Sequence, residues 1–321
     1  MSEPLTQTEG VKAWIVESTE KIWQSRSLAP GIAERYDDEV LVHRPMGQVL
    51  GRRAVIATAM EDIHAFPDLR ILPEDTMCSH PDRGPLALSQ RMLSLATHSG
   101  GGAFGPATGT RLRYRAMSDA LVGANGVIEE WRISDSGAIL RQMGHSPQDW
   151  AQKCLGDVEA VFESPSGEWQ VAEPVPTVSP WAEKLSDLVS RVMDAEFSAV
   201  PAEYDPACAL SYPAGIEIEC VAEAENHWLP LRAAFPGAAF EIHQAMGFEE
   251  PLMPPRAALR WSLSGYHEGW GAFGTPSHRW VRITGMTHVE FGPRGVRREW
   301  TLWDELAVWV QILGASDPDE A

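Results

Sequence analysis

The chain has few cysteines, no long apolar run and little positive charge, and each shortage argues against a class of protein. Its four cysteines show no C-x-x-C pair and no spacing typical of a disulfide framework or a zinc site. No run approaches the roughly eighteen apolar residues that a membrane span needs. Residues 1–10 lack the basic start and apolar core of a secretory signal. These features predict a soluble, cytoplasmic protein.

The charge balance of the chain indicates which class of molecule the protein binds. The formal net charge is −19, whereas nucleic-acid binding requires a basic surface that releases counterions. We therefore expect neither nucleic acid nor a membrane as partner, and a neutral or weakly charged small molecule fits better. The Gly-rich segment 99–105 lacks the G-K-[ST] and G-x-G-x-x-G patterns of phosphate loops. A bulge or a close backbone approach explains its glycines more simply.

One sequence unit occurs twice in the chain. Residues 129–144 read EEWRISDSGAILRQMG, and residues 298–313 read REWTLWDELAVWVQIL. Both contain Glu-Trp, then an Asp four residues after the Trp, then a Gln seven residues after the Asp. Phe66 and Phe235 stand 169 residues apart, and the same offset relates Asp135 to Asp304. A constant offset over so long a span predicts duplicated domains.

The repeat sets the predicted domain boundaries. We place the first copy at residues 1–146 and the second at residues 180–321. Between them, residues 147–179 contain a predicted helix, 148–162, followed by a segment rich in Pro, Ser and Glu that is typical of a linker.

Each copy begins with helices and continues with long strands. In the first copy an amphipathic helix is predicted to end at Pro67, and a turn at residues 123–126 predicts a hairpin. Pro73 confines its strand to a sheet edge or a bulge. The predicted strands are residues 39–43, 69–77, 86–98, 111–122 and 127–134. This order predicts an α+β domain with helices packed on one face of a curved antiparallel sheet.

Three motifs of the first copy carry a resemblance to a known family. They are AFPDL at residues 65–69, THSGGGAFGPATG at residues 97–109 and the closing W-x3-D-x6-Q motif. Together they resemble the SnoaL-like polyketide cyclase family of the nuclear transport factor 2-like superfamily, over about the whole of each copy. The second copy is a degraded match, with Leu313 in place of Gly144. The resemblance implies two tandem cone-shaped α+β barrels with interior pockets, which pair with each other as a pseudo-dimer.

The resemblance also implies a reaction. In the cyclases an intramolecular aldol ring closure proceeds without a metal or a cofactor, and the carboxylate of the closing motif acts as base. That role would fall on Asp135 and Asp304. Removing a proton between two carbonyls needs a positioned base and a group that holds the enolate. Apolar burial would have to raise the pKa of each Asp, and by strand alternation Trp131 and Trp300 share a face with these acids.

Two further acid–base candidates precede these acids. Asp119 in the first copy corresponds to His288 in the second, each sixteen residues before its Asp. Two carboxylates could share a proton, whereas an Asp–His pair offers a base and a hydrogen-bond donor. Asp119 also shares its strand parity with three arginines, so an ion pair is the alternative. For Asp135 and Asp304 the alternative is a helix N-cap, a role that is compatible with catalysis.

Three histidines complete the candidate site. His98 and His267 recur just before the Gly-rich loop, and His43 lies on the first strand. With Trp131 and Trp300 they are the substrate-binding candidates, although a histidine that closes a strand with a satisfied hydrogen bond is the commoner case. The leading hypothesis is proton abstraction from a small apolar carbonyl compound, followed by cyclisation or isomerisation. Two alternative functions stay open, namely a non-catalytic ligand-binding domain pair and a hydrolase of the same superfamily. The sequence also leaves open which of the two copies is catalytic.

Overall fold

The computed structural model describes residues 8–79, 84–156 and 179–314. The chain divides into two compact units, Met1–Gly144 and His145–Ala321. The predicted helix 148–162 is seen as Pro147–Gly156. Its remainder, most of the predicted linker and residues 315–321 lie outside the described residues. Within the described ranges, no helix is long and apolar enough to cross a membrane.

In the residues that the structure describes, the first unit combines four helices with six strands. Its core lies between the sheet and the helices, with α1 packed on β3 and α3 packed on β1. In chain order the elements are α1 Thr8–Trp23, α2 Leu28–Arg35, β1 Tyr36–Arg44, β2 Gly47–Leu50, α3 Arg52–Ala65, β3 Arg70–Ser79, β4 Leu86–Thr97, β5 Arg111–Gly123, β6 Gly126–Ser134 and α4 Ser136–Gln142.

The second unit repeats this order. Its additional first helix, α5, packs against the last helix, α9. The elements are α5 Pro147–Gly156, α6 Pro180–Met193, α7 Ala199–Glu203, β7 Tyr204–Tyr212, β8 Ile216–Ile218, α8 Val221–Ala234, β9 Ala239–Phe248, β10 Arg256–Tyr266, β11 Trp280–Gly292, β12 Gly295–Trp303 and α9 Glu305–Leu313.

Both units contain the same mixed sheet. The strand order is β2-β1-β6-β5-β4-β3 in the first and β8-β7-β12-β11-β10-β9 in the second. The predicted α+β class and the antiparallel run from β3 to β6 are confirmed. The parallel pairs β1·β6 and β7·β12 were not predicted, because their strands are far apart in sequence and no turn signal joins them.

Two local predictions are confirmed. Strand β3 lies at the sheet edge, and its register with β4 shifts between Pro73 and Asp75. Proline fits there because it has no N–H to donate. The hairpin between β5 and β6 closes at the pair Gly123–Gly126, and Gly126 has φ +120°. A Cβ on Gly126 would lie 2.5 Å from the carbonyl oxygen of Arg35, so only glycine fits this turn.

Candidate active site

A pocket in the first unit lies between the helices and the sheet face on which they pack, which we call the inner face. About 20 Å³ of the pocket can take the centre of a water molecule, and the wider volume of about 380 Å³ includes space that is open to solvent. Most of its lining residues are apolar, but the surface that they expose to the pocket is more polar than apolar, and its four largest polar side chains come from β1 and β6. The lining residues are Ile22, Trp23, Ile32, Tyr36, Val42, Arg44, Val49, Val55, Thr58, Ala59, Glu130 and Arg132.

Strand register explains why these polar groups meet. Val42 on β1 pairs with Glu130 on β6 in parallel register. Side chains two residues apart on a strand point to the same face. Arg44 therefore follows Val42 on the inner face, and Arg132 follows Glu130.

Glu130 is the acid of this pocket. It is only 2% exposed, and the Tyr36 hydroxyl donates a hydrogen bond of 2.7 Å to its Oε2. Nη2 of Arg35 lies 3.8 Å from its Oε1. Burial raises the pKa of Tyr36, an effect that the nearby Glu130 reinforces and Arg35 opposes. The Tyr36 hydroxyl thus stays protonated at neutral pH and can donate a hydrogen bond to an anion.

Two arginines bring positive charge to the same pocket. The Arg132 guanidinium lies over the Trp23 ring, 5.2 Å from its centroid. Burial lowers the pKa of Arg132, but the opposing effects of Glu130, Tyr36 and nearby acidic groups leave it raised. Burial lowers the pKa of Arg44, and the effect of Asp62 opposes this only in part. Both side chains can hold an anionic oxygen beside Glu130.

The second unit keeps the acid but surrounds it differently. Glu299, which is fully buried, accepts hydrogen bonds from the hydroxyls of Tyr204 at 2.6 Å and Tyr212 at 3.1 Å. The Thr301 hydroxyl donates to its other oxygen at 2.6 Å. Burial raises the pKa of Glu299, although all three hydroxyls act in the opposite direction. Three donors therefore surround this carboxyl inside the core.

Aromatic side chains fill the interior of the second unit. Trp228, Trp261 and Trp303 are 1%, 0% and 5% exposed, and their ring centroids lie 6.1 to 6.3 Å apart. His227 stacks on Tyr212 with centroids 3.7 Å apart. At the repeat offset, the first unit has smaller or unbranched residues where these four occur. His227, Trp228, Trp261 and Trp303 correspond to Thr58, Ala59, Met92 and Ser134.

Acid is expected to destabilise the second unit through His227. Burial lowers the pKa of His227 from 6.5 to about 3. Between these values the unfolded chain binds a proton that the folded chain does not. The stabilising contribution is therefore complete above pH 6.5 and is lost as the pH falls towards 3, by up to about 1.4 kcal/mol per pH unit.

The variant His227→Phe tests this, because it keeps a stacked ring without a titrating nitrogen. Urea unfolding of the full chain at pH 7, 5 and 4 should show that the free energy of unfolding falls less with decreasing pH in the variant than in the wild type. His64→Gln, at an exposed histidine of the first unit, should leave the profile unchanged. Equal slopes for His227→Phe and the wild type would contradict the expectation.

The predicted acids Asp135 and Asp304 lie at the starts of α4 and α9. Oδ1 of Asp135 accepts a hydrogen bond of 2.9 Å from the backbone N–H of Ala138, and Asp304 accepts from Leu306 and Ala307. Both are N-caps, as the alternative reading of the sequence allowed. They are 3% and 6% exposed, and Asp135 does not line the pocket around Glu130. Their role as bases stays a prediction.

Three other predicted residues form one row on the sheet face opposite the pocket. His43 pairs with Trp131, which pairs with Asp119. All three are buried. The His43 ring stacks on Trp131 with centroids 4.9 Å apart, and its Nε2 lies 2.7 Å from Oε1 of Glu129.

The second unit repeats this row with other residues. Ser211, Trp300 and His288 are paired in the same way, which supports the predicted correspondence between Asp119 and His288. These two rows bring together the site residues that were predicted on the strands. Glu130 and Glu299 are the residues next to Trp131 and Trp300 on their strands, so they point to the opposite face of each sheet. Catalytic and binding roles for these residues stay predictions.

His98 and His267 lie at equivalent strand ends. His98 Nδ1 is 3.1 Å from the Thr108 hydroxyl, and His267 Nδ1 is 3.1 Å from the Ser277 hydroxyl. Each ring packs against a phenylalanine, Phe66 or Phe235. Burial lowers the pKa of His267, and His278 adds to this effect. These contacts match the histidine that closes a strand, and His98 is not part of the pocket lining.

Sequence reasoning missed Glu130, Tyr36, Arg44 and Arg132. A signal for the first two was present, because Glu130 recurs as Glu299 at the repeat offset of 169 and Tyr36 recurs as Tyr204 with a slip of one residue. The arginines do not recur, so the repeat gave no signal for them.

No protein-family model and no curated protein matches the chain. Solved structures match over one unit. TsrD from Streptomyces laurentii is 16% identical, with 43% of this chain and 97% of that chain covered and a TM-score of 0.38. A SnoaL-like polyketide cyclase from Agrobacterium tumefaciens is 19% identical, with 43% and 100% covered and a TM-score of 0.36.

A third similar structure has a fold described as ketosteroid isomerase-like. This protein from Catenulispora acidiphila, in complex with trimethylamine, is 8% identical, with 41% of this chain and 92% of that chain covered and a TM-score of 0.34. Structures described as SnoaL-like and as ketosteroid isomerase-like are thus among those to which this chain is similar, each over less than half of its length. At these identities the likeness concerns the fold alone.

Proposed function

We propose that the first unit is an enzyme that removes a proton from a small carbonyl compound, with Glu130 as the base. One observation carries the proposal: a buried carboxylate, a tyrosine hydroxyl and an arginine line the same pocket, together with several apolar side chains. A base beside groups that stabilise an oxyanion is the minimum set for enolate chemistry. The pocket favours a compact substrate whose remaining surface is apolar.

The proposed reaction starts at a carbon between two carbonyl groups. The Glu130 carboxylate takes the proton and becomes a carboxylic acid, while the electron pair of the broken C–H bond moves onto a carbonyl oxygen. Arg132 stabilises the resulting enolate. The single hydroxyl proton of Tyr36, which Glu130 accepts before the step, can turn to the enolate once Glu130 is protonated. The enolate carbon then attacks a third carbonyl of the same molecule, and the alkoxide that forms takes the proton back from Glu130, which completes an aldol ring closure and restores the carboxylate. Alternatively, Glu130 returns the proton to another carbon, which isomerises the compound.

The contacts of Glu130 also favour a second candidate function, ligand binding without turnover. Tyr36 occupies one carboxylate oxygen, and Arg35 lies near the other. Glu299 is held in a comparable way inside a filled core, where its role is structural. In a binding protein Glu130 would orient Tyr36 and Arg132 towards a ligand, and its own proton affinity would not matter.

Substitution of Glu130 separates the two functions. With a diketone substrate, Glu130→Gln is expected to lower kcat at least 10²-fold with little change in KM, the loss typical of a missing general base. Glu129→Gln is the matched control, because Glu129 is the adjacent residue and contacts His43 on the opposite face. It should leave kcat unchanged.

Asp135→Asn tests the rival base. Asparagine remains a good N-cap, so this variant removes the carboxylate and retains the start of α4. If Asp135→Asn abolishes turnover while Glu130→Gln does not, Asp135 is the base and our assignment is wrong. If the wild type binds diketones and turns over none of them, the first unit is a binding module.

A further inference from the structure

We propose that the pocket of the first unit selects a substrate that carries one carboxylate. Arg44, which lies two residues further along the neighbouring strand than the partner of Glu130, holds this carboxylate. The proposal rests on the proposed function, and it adds the class of substrate: a small dicarbonyl compound with an anionic end. Arg44 would be the specificity-determining residue, and Glu130 would act on the carbonyl end.

The described residues around the pocket carry more positive than negative charge. Three guanidinium groups, those of Arg35, Arg44 and Arg132, face two carboxylates, those of Glu130 and Asp62. Arg35 lies near Glu130 and donates to the Thr19 hydroxyl at 2.6 Å. The pocket thus has a positive excess of one charge, although the chain as a whole carries −19.

Arg44 has an ion-pair partner in Asp62, but the pair is weak enough to leave Arg44 available to a ligand. Its Nη2 is 3.9 Å from Oδ2 of Asp62, and these side chains are 34% and 38% exposed. An ion pair at this distance and exposure is weak. Its Nε is buried and has no hydrogen-bond partner among the residues that the structure describes. A buried N–H without a partner is costly, and a ligand carboxylate would satisfy it through the fork geometry of the guanidinium.

The distance between the two ends of the ligand follows from the strands. Val42 pairs with Glu130, and Arg44 lies two residues beyond Val42 on the same face. Two residues span about 6.6 Å along a strand and neighbouring strands lie about 4.8 Å apart, so the Cα atoms of Glu130 and Arg44 are about 8 Å apart. Both side chains line the pocket, and we expect a spacer of about five bonds between the acidic carbon and the ligand carboxylate, as in 5,7-dioxooctanoate.

The second unit indicates that these charges are not needed for the fold. It retains the Tyr–Glu pair as Tyr204 and Glu299. At the positions of Arg44, Asp62 and Arg132 it has Tyr212, Leu231 and Thr301. The unit whose interior is filled has thus lost both arginines, and the unit with the pocket has them. This pairing of cations with open space is what a site for an anion requires.

Calorimetric titration of the full chain with 5,7-dioxooctanoate and with its methyl ester tests the proposal. The acid is expected to bind at least tenfold more tightly than the ester, and the difference should shrink as salt is added. Arg44→Gln should weaken acid binding to the level of the ester and leave ester binding within about threefold. Arg44→Lys should keep part of the preference. The control is Arg53→Gln, at an exposed arginine of α3.

The possible outcomes separate this proposal from the proposed function. Equal binding of acid and ester to the wild-type protein overturns the anion site, as does binding of neither, whether or not Arg44→Gln folds. Turnover of the ester that depends on Glu130 would then still support the enzyme. A preference for the acid that disappears in Arg44→Gln supports the anion site, even if no compound is turned over and the enzyme proposal fails.

Discussion

Replacing Trp261 with alanine is expected to lower the free energy of unfolding of the second unit by about 3–5 kcal/mol. Trp261 is fully buried between Trp228, Trp303 and Phe240. Its indole N–H donates to the Thr287 hydroxyl at 3.0 Å. The substitution removes these contacts and leaves a cavity that rigid neighbouring rings cannot close. Hydrogen exchange of the β10 and β11 amides in the full chain measures the loss.

Trp261→Met is the matched control, because the first unit has Met92 at this position. A flexible methionine fills part of the space, so a smaller loss is expected. The backbone beneath the ring is also adapted to it: a Cβ on Gly285 would lie 2.2 Å from the Trp261 ring, and the first unit has Ala116 there. A loss below about 1 kcal/mol in Trp261→Ala would show that the core collapses around the change.

Replacing Ala59 with tryptophan is expected to abolish ligand binding by the first unit. Ala59 lines the pocket, and Trp228 at the equivalent position fills the core of the second unit. The new indole should occupy the space beside Glu130. Calorimetric titration with 5,7-dioxooctanoate should show at least a 100-fold loss of affinity, about 2.7 kcal/mol. The fold should persist, since the second unit carries this residue in the same framework.

Ala57→Trp is the control for this substitution. Ala57 lies on the exposed side of the same helix, so a tryptophan there adds the same bulk outside the pocket. It should leave affinity unchanged. If Ala59→Trp remains folded and binds as tightly as the wild type, the ligand site is not the pocket around Glu130.

Much of the architecture could be predicted from local and repeated patterns. The constant offset between Asp135 and Asp304 indicated a duplicated fold, and the hairpin at Gly123–Gly126 and the edge position of Pro73 followed from backbone chemistry. The N-caps at the two aspartates were also foreseen. Each of these features depends on short sequence patterns, so the sequence alone was enough to predict it.

The choice of sheet face could not be predicted in this way. In the middle of β5, residues on both faces are buried, so alternation does not separate inside from outside. The run Glu129-Glu130-Trp131 places acids on both faces, and the sequence favoured the face of Trp131. The packing of α1, α2 and α3 decides that Glu130 faces the pocket, and this packing joins segments far apart in the chain.

The sequence by itself determined that this protein contains one α+β unit twice, each with a tyrosine and a glutamate at matching strand positions. Only the tertiary structure decided that these acids have different surroundings. Ala59 leaves space beside Glu130, whereas Trp228, Trp261 and Trp303 come from three separate elements and meet around Glu299. Whether an interior is open or filled depends on the summed volumes of such side chains, which become neighbours only when the chain folds.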